Sequence, residues 1–151
     1  MDCISLAISF AALISSIFIG IRQVKISKLQ ADMQNKVELY LLTNIFTYRH
    51  VTGEEPDRIV PAIYIRNIGN NVIYLNNYIF NGREYPLGKE VLPPVSAYDG
   101  YHYIELPTDG TTHVSFEINF LDWKGRAWKT KGFADFIARA WEITYSPCEK
   151  A

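Results

Sequence analysis

His113-Val-Ser-Phe-Glu-Ile-Asn-Phe-Leu121 alternates apolar and polar residues without a break. Val114, Phe116, Ile118 and Phe120 fall on one face and Ser115, Glu117 and Asn119 on the other, which is the period of two of a half-buried strand. The run stops at Asp122-Trp-Lys-Gly125, a tight turn, and Arg126 to Lys131 returns with Trp128 and Thr130 opposite Lys129 and Lys131. A strand, a turn and a returning strand make an antiparallel hairpin, so the chain around it is read as sheet.

Working outward, the same alternation recurs. Val37 to Arg49 alternates through Val37, Leu39 and Leu41, although its first residues also suit the end of a preceding helix. Val51 to Asp57 is polar with Gly and Pro and reads as a loop. Ile59 to Ile68 is a second strand, with Ile59, Ile63 and Ile65 on one face and Tyr64 and Arg66 on the other, ending at the turn Asn67-Ile-Gly-Asn-Asn71. Val72 to Phe80 follows, and Asn81-Gly82 marks a hairpin whose central residues need positive φ. Pro86, Pro93 and Pro94 bracket a stretch read as irregular, because a central strand cannot continue through proline. Tyr101 to Leu106 is a short strand closed by Pro107-Thr-Asp-Gly110.

The C-terminal stretch admits two readings. Phe133, Phe136, Ile137, Ala140 and Trp141 have helical spacing, with Asp135 and Arg139 four apart on the other side. The strand-rich surroundings favour a terminal strand over Trp141 to Tyr145. Six or seven short strands without intervening long helices indicate a mainly β chain, an antiparallel β-sandwich of immunoglobulin-like type over residues 37–151. The Cys, Trp, Cys spacing of antibody domains is absent.

Ahead of the sheet lies a different kind of sequence. Ile4 to Ile21 holds 18 consecutive uncharged residues, ten of them Ile, Leu or Phe and the other eight Ala, Ser or Gly. As a helix this run is about 27 Å long, close to the roughly 30 Å of a bilayer core. A cleavable signal peptide is disfavoured because Asp2 precedes the run and Gly20-Ile-Arg-Gln23 follows it. A buried core helix is disfavoured because a small domain has room mainly for amphipathic helices. Residues 1–21 therefore read as a transmembrane helix.

Arg22, Lys25, Lys28 and Lys36 follow with only Asp32 among them, a local excess of three positive charges. Positive flanks stay inside, so the amino terminus faces out and the sheet domain faces the cytoplasm of an inner membrane. Residues 22–36 form a basic juxtamembrane helix with Ile26, Leu29, Met33 and Val37 on one stripe. Within the span, Ala7, Ala11 and Ser15 recur every four residues and form a small-residue stripe suited to helix association and a homo-oligomer.

The whole chain of 151 residues is 48% hydrophobic and 14% aromatic with a formal charge of -1. Residues 37–151 carry 11 basic and 14 acidic side chains, which argues against nucleic acid as a partner. Cys3 and Cys148 provide neither a disulfide framework nor a zinc site, and the expected topology puts them on opposite sides of the membrane.

An uncharged amino-terminal span, a short basic helix and a sheet domain with the strand and turn Pro61-Ala-Ile-Tyr-Ile-Arg-Asn-Ile-Gly69 resemble the small single-pass membrane proteins of bacteria and their mobile elements. Most of those are of unknown function. The resemblance covers the layout and the Asn67-Ile-Gly69 turn, implies a bacterial source, and transfers no catalytic residue.

Chemistry is sparse. His50, His102 and His113 lack compact metal-ligand spacing apart from His102 with Glu105, which a strand sends to opposite faces. No nucleophile elbow, phosphate loop, dinucleotide fingerprint or zincin motif occurs. The expectation is a non-enzyme without metal or cofactor.

The best binding candidate is the hairpin of Trp123, Lys124, Arg126, Trp128, Lys129 and Lys131, where four cations and two indoles suit a small anionic ligand or an acidic protein. Tyr98, Tyr101 and Tyr103 with His102 form a second aromatic group, read as sheet surface. The leading expectation is a membrane-anchored interaction module with the bilayer and an unknown protein as partners. One alternative is a ligand-sensing effector acting through clustered spans, and another is an extracytoplasmic anchored β-domain.

Overall fold

The computed structural model describes residues 3–48, 58–107 and 109–151, with side chains at 10–31, 35–47, 58–107 and 109–151. His50 and the loop of residues 51–57 lie outside the described residues. The chain divides into two compact units, Met1–Lys36 and Val37–Ala151.

The first unit is one helix, α1 (Cys3–Gln34), of 32 residues. It runs without a break through the residues read as a transmembrane helix (1–21) and into those read as a basic juxtamembrane helix (22–36). No proline interrupts the chain around Gly20, and Gln, Lys, Leu and Ala beyond Arg22 are good helix formers, so the hydrogen-bond ladder continues. Phe10–Ala31 has a mean hydropathy of 1.4, none of it is buried, and by length and composition it is able to cross a membrane. The hydroxyls of Ser15 and Ser16 donate to the carbonyls of Ala11 and Ala12, each at 2.9 Å, which satisfies them within the helix.

The second unit has two antiparallel sheets. The smaller has the order β1 (Leu39–Tyr48), β2 (Arg58–Asn67), β5 (His102–Glu105). The larger runs β4 (Arg83–Leu92), β3 (Ile73–Phe80), β6 (His113–Asp122), β7 (Ala127–Ile137), β8 (Ala140–Tyr145), with β9 (Glu149–Lys150) also on β7. Leu39, Leu41, Ile63, Ile65 and Ile104 of the first sheet share one buried cluster with Ile73, Leu75, Phe80, Val114, Phe116, Ile118 and Phe120 of the second. Burying each large side chain is worth about 1.5–3 kcal/mol, and the alternation along β6 delivers four of them to that core.

Asn67 ties the sheets together at one end. Its buried amide donates to the carbonyls of Asn71 and Leu92 at 2.8 and 3.0 Å, and its oxygen accepts the Gly69 N–H at 3.0 Å. The turn Asn81-Gly82 has φ of 47° and 81°, as its sequence demands.

Two strand readings change, and the two-way reading of the C-terminal stretch is settled. Ile59 is 64% exposed while Val60 and Ala62 are buried, so the face assigned to Ile59, Ile63 and Ile65 does not extend the length of β2. The stretch around Pro86 is strand rather than irregular: β4 is an edge, where a missing N–H costs no ladder bond, and its register shifts around Gly88 and Lys89. The region 133–142 is a hairpin of β7 and β8 turning at Ala138 and Arg139, so the strand reading stands and the helical spacing has no structural counterpart. Asp135 pairs with His113 across β6 and β7 instead of with Arg139.

Candidate functional site

The β6–β7 hairpin is organised around a residue that sequence reasoning treated only as part of a turn. Asp122, 1% exposed, accepts the backbone N–H of Lys124 and of Arg126 at 2.9 Å each, the Arg126 guanidinium Nε–H at 2.6 Å and the Trp128 indole N–H at 3.1 Å. Burial alone raises a carboxyl pKa, but these four hydrogen bonds outweigh it and hold Asp122 below the ordinary value. Arg126 and Trp128 thus serve the turn.

The remaining cations are dispersed. Lys124 lies over the Trp123 ring, 4.6 Å from its centroid, at the solvent-exposed tip. On the outer face of β7, Lys131 pairs with Glu117 at 3.0 Å and Lys129 approaches Glu149 at 3.8 Å. The Lys131 contact holds the Glu117 carboxyl below its usual range and pushes the ammonium up. Trp128 packs against the core, on the opposite face from both lysines. Lys131 borders an open hollow of about 730 Å³ with Ile79, Ser115, Glu117 and Phe133. The structure therefore brings Asp122, Arg126 and Trp128 together and separates them from Lys129 and Lys131.

A second hollow, of about 710 Å³, opens between the borders of the two sheets, where β4 faces β5. Tyr78, Phe80 and Tyr85 line it from one sheet, and Tyr101, His102, Tyr103 and Glu105 from the other. Tyr78 and Tyr85 stack with centroids 5.0 Å apart and planes 9° apart, and Tyr103 stacks on Phe46 at 3.9 Å. Burial, then the neighbouring Tyr85, raises the Tyr78 phenol pKa. Arg58 pairs with Glu105 at 3.3 Å, and His102 Nδ1 lies 3.2 Å from Glu90, while His102 Nε2 is buried without a partner. The sequence showed Tyr101, His102 and Tyr103 as a group; their facing wall comes from residues some twenty positions away, and no local pattern announces it.

On α1, Arg22, Lys25 and Lys28 are exposed, as are Ala11 and Ser15; Ala7 falls on the helix, with its side chain outside the described residues. Among the described residues no three His, Cys, Asp or Glu side chains gather in a metal-binding group. Cys148 is a half-buried free thiol whose pKa burial pushes up. No family model, no curated protein and no solved structure matches this chain.

Proposed function

We propose that this chain is a membrane-anchored, non-enzymatic interaction module: α1 spans the inner membrane with its amino terminus outside, and a cytoplasmic immunoglobulin-like sandwich carries the binding surface. The observation that carries the reading is the contrast between the units. Phe10–Ala31 is apolar and wholly unburied, whereas residues 37–151 close their own core. An apolar helix left bare in water is costly, and a bilayer removes that cost. Arg22, Lys25 and Lys28 support the orientation by charge.

The immunoglobulin-like reading rests on strand order. If β1, β2 and β5 are labelled A, B and E, then β4, β3, β6 and β7 fall into place as C′, C, F and G, with β8 and β9 as additions. Protease treatment of spheroplasts tests topology: residues 37–151 stay protected until the membrane is opened, and their digestion from outside moves the domain to the other side. Release of the chain into the soluble fraction by salt or carbonate refutes the anchor itself.

A second reading, self-association through α1, gains from the continuity of the helix. Ala11 and Leu29 lie 18 residues apart in one uninterrupted helix, as do Ser15 and Met33. That spacing is about five turns, so the small-residue stripe and the apolar stripe run down one face. Light scattering in detergent tests it: the full chain is multimeric and Ala11→Leu shifts it towards monomer, whereas a monomeric full chain removes this reading.

A further inference from the structure

Only residues 35–38 separate α1 from β1, so the end of the sandwich where β1 starts is the end that the chain ties to α1. Hydrogen bonds and register gather three further segments at that end. The N–H groups of Ile68 and Gly69 donate to the Glu38 carbonyl at 3.0 and 3.2 Å, immediately ahead of β1. Ile73, which follows that turn, pairs with Asp122, where the β6–β7 turn begins. At the C-terminal end of the sequence Lys150 pairs with Trp128, and the Ala151 N–H donates to the Ala127 carbonyl at 3.1 Å.

These segments expose apolar side chains beside uncompensated positive charge. Trp123 is 47% exposed and Ile68 39%. The Lys124 ammonium lies 4.6 Å from the Trp123 ring centroid, so ring and charge are presented together. Lys124 and the exposed Lys150 have no carboxylate partner among the described residues, whereas two neighbouring carboxylates are engaged, Asp122 by Arg126 and Glu149 by Lys129 at 3.8 Å. An indole with lysines around it settles at a bilayer interface, the amphipathic ring at headgroup level and the ammonium groups at anionic phosphates. Lys124 and Lys150 stand on different segments with apolar side chains among them, a spread that matches a lipid surface rather than one small anion. The hydrogen bonds of Asp122 hold the turn beforehand, so docking its tip orders little backbone. We infer that this end of the sandwich docks on the anionic headgroup layer of the membrane that α1 crosses, with Trp123 in the interface and Lys124 and Lys150 at lipid phosphates. The inference rests on the membrane-anchor reading and adds a second, peripheral contact to it.

The test uses the full chain, one copy per nanodisc, in phosphatidylcholine discs with and without phosphatidylglycerol, each carrying a lipid spin-labelled at its headgroup. Tryptophan emission is read for the chain and for Trp123→Phe, and the difference is the Trp123 contribution. The expected result is quenching of that contribution by about twofold or more in the discs with phosphatidylglycerol. Lys124→Gln lowers the ratio of docked to undocked domain about fivefold, since one cation near an anionic surface is removed. Arg139→Gln, in the β7–β8 turn at the other end of β7, leaves the quenching unchanged. An unquenched Trp123 in discs that hold the chain overturns the inference and leaves the anchor standing. Equal quenching without phosphatidylglycerol, or equal loss in Lys124→Gln and Arg139→Gln, overturns it as well. A blue shift of Trp123 that needs two chains in one disc gives the tip to a second copy instead. A chain that does not copurify with the discs removes the anchor reading and this inference together.

Discussion

Asp122 Oδ2 lies 2.6 Å from Arg126 Nε, and across the turn that joins β6 to β7 the Asp122 N–H donates to the Arg126 carbonyl while Asp122 Oδ1 accepts the Arg126 N–H, each at 2.9 Å. The carboxylate is buried and the guanidinium half-exposed, so the pair is a hairpin clamp with one foot in water. Asp122→Ala leaves the N–H groups of Lys124 and Arg126 and the indole of Trp128 without their acceptor. Losing hydrogen bonds to a charged group at a buried position is expected to cost about 2–3 kcal/mol, read as a lower urea midpoint at unchanged slope. Arg126→Ala costs less, because the backbone and indole bonds remain. Equal losses for the two variants would show that the clamp is an ion pair and little else.

Acid should expose the same residue. The pKa of Asp122 is lowered in the fold, so its stabilisation is present above the unfolded value of about 3.9 and is lost as pH falls through the lower folded value. Glu117, lowered by Lys131, acts with the same sign. Stability measured from neutral pH to about pH 3 therefore falls more steeply in the unaltered chain than in Asp122→Asn, whose side chain has no charge to lose. Parallel curves would remove Asp122 from the acid response.

Gly132 on β7 sits opposite Phe116 on β6, and a Cβ placed there runs into the Thr144 carbonyl oxygen and the Phe116 ring. One obstacle is backbone, which cannot swing aside. Gly132→Ala is thus expected to destabilise by about 1–3 kcal/mol through overpacking, although alanine ordinarily stabilises a strand relative to glycine. Thermal melts of the two proteins decide the sign.

The β7–β8 turn carries removable strain. Ala138 and Arg139 occupy φ of 49° and 71°, a region that costs a residue with a Cβ about 1–2 kcal/mol. Arg139→Gly is expected to raise stability by about 1 kcal/mol, seen as a higher urea midpoint. A loss instead would mean that the Arg139 side chain makes a compensating contact.

How much of this was legible beforehand depends on range. The β6 strand, its turn at Gly125 and the Asn81-Gly82 hairpin were readable because alternation and positive-φ residues act within a few positions. Ile59 was misplaced because the neighbours that cover each part of a strand belong to other segments. Pro86 was misread because only sheet order makes β4 an edge. The helical spacing of Phe133, Phe136, Ile137 and Trp141 competed with a strand, and cross-strand pairing with β6 and β8 decided it. At the candidate site, Lys129 and Lys131 looked available because Glu149 and Glu117, which face them, lie on other strands.

By itself, then, the sequence determined the apolar amino-terminal helix, the basic residues that follow it and a strand-rich remainder, since hydropathy and periodicity are local properties of the chain. Only the tertiary structure decided that the helix is unbroken, that Asp122 anchors its hairpin, and that Tyr78 stacks on Tyr85 while Tyr103 stacks on Phe46. Those relationships follow from strand order and register, which join residues that no local pattern relates.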